Sequence, residues 1–116
     1  MTLQKEKGNK GEEMAIAYLL GKSYTILEHN YFSRFGEIDI IAMDKDTLVF
    51  VEVKNFRSNS LVSAFRVITN NKRKKIITTA RYYLMKKNLA DTPARFDVII
   101  LENGRIIEHL EGAFFI

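Results

Sequence analysis

The chain contains no cysteine. Disulfides and thiolate zinc sites are therefore excluded, and the composition suits a reducing compartment, so a cytoplasmic location is expected. No apolar run approaches the roughly 20 residues needed to span a bilayer. The opening MTLQKEKGNKGEE is polar and lacks the apolar stretch of a signal peptide. No membrane partner is expected. Repeats, low-complexity tracts and linkers are also missing, so residues 1–116 read as a single domain with a modest core. A further absence is local. Between Val53 and Ala90 there is no acidic residue, while Lys54, Arg57, Arg66, Lys72, Arg73, Lys74, Lys75, Arg81, Lys86 and Lys87 all fall there. The net charge is only +4, so this is a matter of distribution. One-sided basicity in a small domain suggests phosphate contact; a solvated helix face is the competing reading.

The elements follow from pattern. Asn9 and Glu12 resemble a helix cap and Gly21 suits a helix end, which predicts a first helix over about Lys10 to Leu20. SYTILEHNYF reads as a strand, with a turn at Ser33 to Phe35. GEIDIIAMDKDTLVFVEVK divides at Asp44-Lys45-Asp46-Thr47 into a hairpin. NFRSNSLVSAFRV is a polar connection of ambiguous, partly helical character. Ile76, Ile77, Ala80, Tyr83 and Leu84 form a stripe at helical spacing, predicting a helix over about Asn71 to Lys87. Pro93 breaks the chain, ARFDVIIL is a strand, Glu102-Asn103-Gly104 a turn, and RIIEHL a short last strand. The order implies an α/β fold, a mixed sheet with helices against it.

The hairpin poses the functional question. With the loop centred between Lys45 and Asp46, facing residues have numbers summing to 91. Asp39 then faces Glu52 and Glu37 faces Lys54, on the face that also pairs Ile41 with Phe50. On the other face Ile38 meets Val53, Ile40 meets Val51 and Ala42 meets Val49. A one-residue slip would set charges opposite core residues, so the pattern selects this register. Two facing carboxylates repel and raise each other's pKa. Something positive should stand between them. Lys54 in an internal salt bridge is one solution. A divalent cation on oxygen ligands is the other, and Mg²⁺, which binds through one or two carboxylates and pairs with substrate phosphate, fits it. A lysine beside such a cation can orient water or stabilise developing charge.

Asp39 followed by Glu52-Val53-Lys54 on the next strand resembles the D…(D/E)xK signature of the PD-(D/E)XK nuclease superfamily. More closely, the chain resembles the YraN family, also called UPF0102, itself regarded as distantly similar to archaeal Holliday junction resolvases. The resemblance covers nearly the whole chain. It rests on Gly8-Asn9-Lys10-Gly11-Glu12 with Ala15, on Asn30 before Gly36-Glu37-Ile38-Asp39, and on Val49 through Lys54. It continues through Lys72 to Ile77 with Ala80, Tyr83 and Leu84, then Arg95-Phe96-Asp97-Val98 and Ala113-Phe114. Two departures stand out. The family's Arg two residues after the motif lysine appears here as Arg57, three after Lys54, and Leu61-Val62-Ser63-Ala64 replaces the Phe-Gly that usually follows.

The resemblance implies a restriction-endonuclease-like αβββαβ core and a metal-dependent endonuclease acting on DNA, branched or junction DNA included. It implies Asp39, Glu52 and the Val53 carbonyl as ligands of Mg²⁺ or Mn²⁺, Lys54 as catalytic lysine, and Glu12 as an acid on the first helix that helps hold metal. The alternative role for Glu12 is to stabilise the helix dipole. Glu37 sits beside the site, supporting it or pairing with Lys54. Lys72, Arg73, Lys75 and Arg57 are the expected nucleic-acid contacts. Asp97 with Arg95 reads as a structural ion pair, His29 and His109 as structural histidines, and Tyr82 and Tyr83 as core or interface residues. A homodimer is a further expectation, hinted at by Phe114, Phe115 and Ile116 at the chain end. The alternatives to the nuclease are a non-catalytic nucleic-acid-binding module on the same fold and a structural protein whose acids form a salt-bridge patch.

Overall fold

The computed structural model describes residues 3–56 and 69–114, with only the helical backbone for residues 3–9. The elements are α1 (Leu3–Gly21), β1 (Thr25–Ser33), β2 (Gly36–Asp44), β3 (Thr47–Phe56), α2 (Asn70–Lys86), β4 (Ala94–Glu102) and β5 (Arg105–Phe114). This is the expected αβββαβ order, closed by a fifth strand. The sheet runs β1-β2-β3-β4-β5; β3 and β4 are parallel and every other neighbouring pair is antiparallel. The architecture is compatible with a restriction-endonuclease-like core. Arg57, Phe115, Ile116 and most of the connection before α2 lie outside the described residues. Among the described residues no helix is long and apolar enough to cross a membrane.

The two helices cover opposite faces. Ile76, Ala80, Tyr83 and Leu84 of α2 pack on Ile38, Ile41, Leu48, Phe50, Phe96 and Phe114. Ala15 and Leu19 of α1 pack on Ile40, Ala42, Val49, Val51, Ile99 and Leu101. Phe114 stacks on Phe96 with centroids 4.6 Å apart, so this ring of the chain end fills the protein's own core. α2 starts at an N-cap, Thr69, whose hydroxyl accepts from the Lys72 N–H at 3.2 Å.

Three boundaries differ from expectation. α1 begins at Leu3, seven residues before Lys10, and runs through Asn9. The Leu, Gln, Lys and Glu residues of that first stretch are good helix formers, and they offset the ~1 kcal/mol that a Gly in a helix costs. The capping reading of Asn9 is therefore wrong. β5 continues four residues past Leu110. Gly112, with φ 61, sits in a register shift, where its N–H donates to Asp97 Oδ1 at 3.1 Å.

The third concerns β2. The β2–β3 ladder runs from Asp44↔Thr47 to Ile40↔Val51, with facing residues summing to 91 as expected. Strict alternation would then place Ile38 with Ile40. Instead Ile38 and Ile41 both face α2, while Ile40 and Ala42 face α1. The strand turns by one residue at Asp39. Opposite this point on β1, Asn30 takes a left-handed conformation (φ 54) between the pairs His29↔Ile40 and Tyr31↔Ile38. Asn is one of the few residues that enter this region readily. The expected facing of Ile38 with Val53 is thus not made: they lie in different clusters.

Candidate active site

Beyond Ile40↔Val51 the sheet forks. Residues of β2 before Ile40 stay with β1, and residues of β3 after Val51 stay with β4. Asp39 bridges the fork: its Oδ2 accepts the Val53 N–H at 2.7 Å. The N–H and carbonyl of one strand residue point to the same side of the strand, so the Val53 carbonyl also faces the fork. Glu52 and Lys54 follow the alternation of Leu48 and Phe50 towards α2. There Glu52 Oε2 is held by Lys72 Nζ at 2.6 Å and by Lys54 Nζ at 3.2 Å. From the other face α1 delivers Glu12, whose carboxylate lies within 4.8 Å of those of Glu37 and Asp39. At the neighbouring Gly11 a Cβ would stand 3.4 Å from the Asn55 side chain of β3, so α1 packs in close contact with that strand. The result is an open cleft of about 600 Å³ whose lining includes Glu12, Asp39, Glu52, Val53, Lys54 and Lys72.

Electrostatics match this crowding. Burial, then the charge of Glu52, pushes the Asp39 carboxyl up to about 8, against the opposing pull of the Val53 N–H. Burial also raises Glu12, partly offset by its bond to His29. Burial lowers Lys54, helped by neighbouring Lys72. Burial disfavours the Lys72 cation as well, but its bonds to Glu52 and Lys54 and the charges of Glu52 and Asp39 together outweigh that, and its pKa is raised. Four carboxylates (Glu12, Glu37, Asp39 and Glu52) against the two ammonium groups of Lys54 and Lys72 leave formal negative charge uncompensated. An all-oxygen donor set with excess negative charge, partly buried, fits a hard divalent cation such as Mg²⁺ or Mn²⁺.

The structure brings Asp39, Glu52, Val53, Lys54, Glu12, Glu37 and Lys72 together. Glu37 does not pair with Lys54; it joins Glu12 and Asp39, and Lys54 goes to Glu52. Arg73 is placed elsewhere, its guanidinium 5.7 Å from the Phe114 ring. Lys75 is exposed, its Cβ near Gly36 at the start of β2. His29 is not a bystander: its Nε2 lies 2.8 Å from Glu12 Oε1. The hairpin arithmetic could have found it. Centring the first turn on Arg34 and Phe35 gives facing residues that sum to 69, which sets Asn30 opposite Asp39 and His29 opposite Ile40.

Residues 11–101 match the model of a family described as "Uncharacterised protein family UPF0102". The chain belongs to the UPF0102 family. It is 48% identical over 113 residues to a UPF0102 protein of Clostridioides difficile, covering 95% of this chain and 97% of that one. It is 44% identical over 108 residues to one from Persephonella marina, covering 93% and 92%. Against one from Geotalea uraniireducens it is 43% identical over 114 residues, covering 95% and 90%. The match to the UPF0102 family starts at Gly11 and takes in every residue of the cleft named above.

A second polar cluster lies away from the cleft. Asp97, fully buried, accepts from Arg95 Nε at 3.0 Å and from Gly112 N–H, and contacts His109 Nε2 at 2.8 Å. Arg95 reaches on to Tyr24 and Asp44, and His109 to Tyr18 of α1. These bonds hold the Asp97 carboxyl below its usual range despite burial, which opposes them. The expected ion pair and structural His109 are both present. Asp97→Ala would take one acceptor from the half-buried Arg95, which keeps Asp44 and Tyr24, and would leave His109 Nε2 and the Gly112 N–H without theirs. A loss of about 1–3 kcal/mol for each group left unsatisfied is expected, measurable by urea unfolding.

Proposed function

We propose that this chain is a nuclease that hydrolyses phosphodiester bonds of DNA with a divalent cation. The observation that carries this reading is the convergence of Asp39, Glu52 and Lys54 at the fork of β2 and β3, beside the basic start of α2. Pure binding of a polyanion gains nothing from carboxylates, which repel phosphate. Asp39, Glu52 and the Val53 carbonyl, with Glu12 from α1, would hold Mg²⁺ or Mn²⁺. When bound, the cation neutralises phosphate charge and makes water a better nucleophile. Lys54 points a partly desolvated ammonium into the cleft, where it orients the attacking water and donates to the oxygen gaining charge. Water oxygen bonds to phosphorus as the water gives up a proton to solvent, one ester P–O bond breaks, and the leaving oxygen takes up a proton. Lys72, within reach of Glu52, is also within reach of a phosphate docked there. His29 fixes one oxygen of Glu12.

The test is incubation of the pure protein with linear, flapped and branched DNAs in Mg²⁺ or Mn²⁺ and, separately, in chelator. Cation-dependent products support the nuclease. Tight binding with no product under any condition replaces it with the non-catalytic binding module.

Both versions share a binding surface. Lys75, Arg81, Lys86 and Lys87 of α2 and its end are exposed, and Lys72 is half-buried at the cleft. On duplex DNA, log K against log salt should slope by about −0.9 per phosphate contact. Replacing Lys72 and Lys75 by Ala should flatten that slope by roughly 1 to 2. An unchanged slope, read by fluorescence anisotropy in chelator, removes this face of α2 from the binding surface.

A further inference from the structure

Phe32 is 68% exposed, among the most exposed large apolar side chains of the described residues. A single exposed Phe needs no explanation, but its position gives this one meaning. It pairs with Glu37 in the β1–β2 ladder. Directly opposed residues of an antiparallel pair share a face, with Cβ atoms about 4.5–5.5 Å apart. The Glu37 carboxylate in turn lies within 4.8 Å of those of Asp39 and Glu12. The Phe32 ring therefore lies on the α1 face of the sheet, the side from which Glu12 enters the cleft. On the opposite, α2 face, the turn that follows carries a second ring and two cations. Arg34 lies 4.9 Å from the Phe35 ring, Phe35 meets Tyr82 edge-on at 5.6 Å, and Lys86 lies 5.6 Å from the Tyr82 ring. Gly36 sets this turn directly on α2: a Cβ there would stand 3.2 Å from Thr79 Oγ1.

An exposed ring beside a cleft lined by Lys10, Lys54 and Lys72 is how an unpaired strand is gripped: phosphates follow the cations and bases stack on the ring. Along a duplex the bases are stacked on one another and offer such a ring no face. We propose that Phe32 is a base-stacking platform and that it sets the substrate class. The substrate is a nucleic-acid strand with unpaired bases next to the phosphate to be cut, as in a flap, a single-stranded tail or an opened branch. This rests on the nuclease reading above.

The test is anisotropy in chelator with one labelled strand offered alone, as a blunt duplex, and as a duplex with a single-stranded tail. Wild type should bind the strand and the tailed duplex more tightly than the blunt one. Phe32→Ala should weaken those two about ten-fold and leave the blunt duplex unchanged, while Phe32→Tyr should retain the preference. The position is exposed, so both variants should melt as wild type does. Equal losses on all three probes, or none, would overturn the platform and leave the nuclease intact. Binding of no probe by wild type would overturn both. β1 is also an edge strand. A wild-type dimer that Phe32→Ala converts to a monomer in light scattering would assign the ring to a contact between copies and overturn the platform as well.

Discussion

Asp39→Asn should abolish cation-dependent cleavage while the protein remains folded. The amide oxygen of Asn can still accept the Val53 N–H, so the bridge across the fork survives. The charge that a cation needs does not. In chelator near neutral pH the variant should be at least as stable as wild type, because the substituted group is buried and faces Glu52. Glu52→Gln should also end cleavage, but at a stability cost. Lys54 and Lys72 share one oxygen of Glu52, and removing its charge strands both. Lys54→Ala should behave differently again. Cation binding is kept and cleavage falls by about 10²–10³, the usual loss for one group stabilising developing charge. Cleavage assays with calorimetric titration of Mn²⁺ on these variants separate the roles. Full cleavage by Asp39→Asn would falsify the assignment of the fork as the reacting centre.

The hairpin register was legible because both strands alternate strictly between the turn and Ile40↔Val51, where every pair on the α1 face is apolar. The stripe on α2 was legible for the same reason. Ile76, Ala80, Tyr83 and Leu84 are buried as expected, with Thr79 added. What the pattern hid is the point where alternation stops. Reading Asp39 and Glu52 as a facing pair brought the two carboxylates together but put them in a continuous ladder. The sheet instead opens there, held by a side chain to backbone bond that has no periodic signature. The opening allows α1 and α2, on opposite faces, to reach one cleft. Glu12 with His29, and Lys72 with Glu52, are 17 and 20 positions apart on different elements. No local pattern specifies such meetings. Asp97 is the converse: its partner Arg95 was visible two residues away, but His109 and Gly112 came into view only with the register shift in β5.

In chelator, stability should fall as pH rises from about 4 to about 8, and Mg²⁺ or Mn²⁺ should restore it. Asp39 carries this effect. Its carboxyl ordinarily titrates near 3.8, and in the fold burial and Glu52 push it up to about 8. Below pH 4 the group is protonated whether the chain is folded or not. Between the two values the unfolded chain ionises freely while the folded one keeps its proton. Folding then takes up a proton, so each step up in pH favours the unfolded chain. Above 8 both states are ionised and the effect levels off. At about 1.4 kcal/mol for each pH unit of the window, the full loss is on the order of 5 kcal/mol. Glu12, also raised by burial, acts in the same direction. A cation binds only the ionised carboxylates of the fold, so it stabilises by mass action, weakly near pH 5 and strongly near pH 8. Thermal melts across this range should therefore show a cation-induced rise that grows with pH. Asp39→Asn should flatten both the pH profile and the cation effect. If the acids formed only a salt-bridge patch, the pH profile of wild type and its flattening by Asp39→Asn would remain, but the cation would shift no melting temperature at any pH. The slope in chelator thus reports the buried charge, and the cation-induced rise alone reports a metal site.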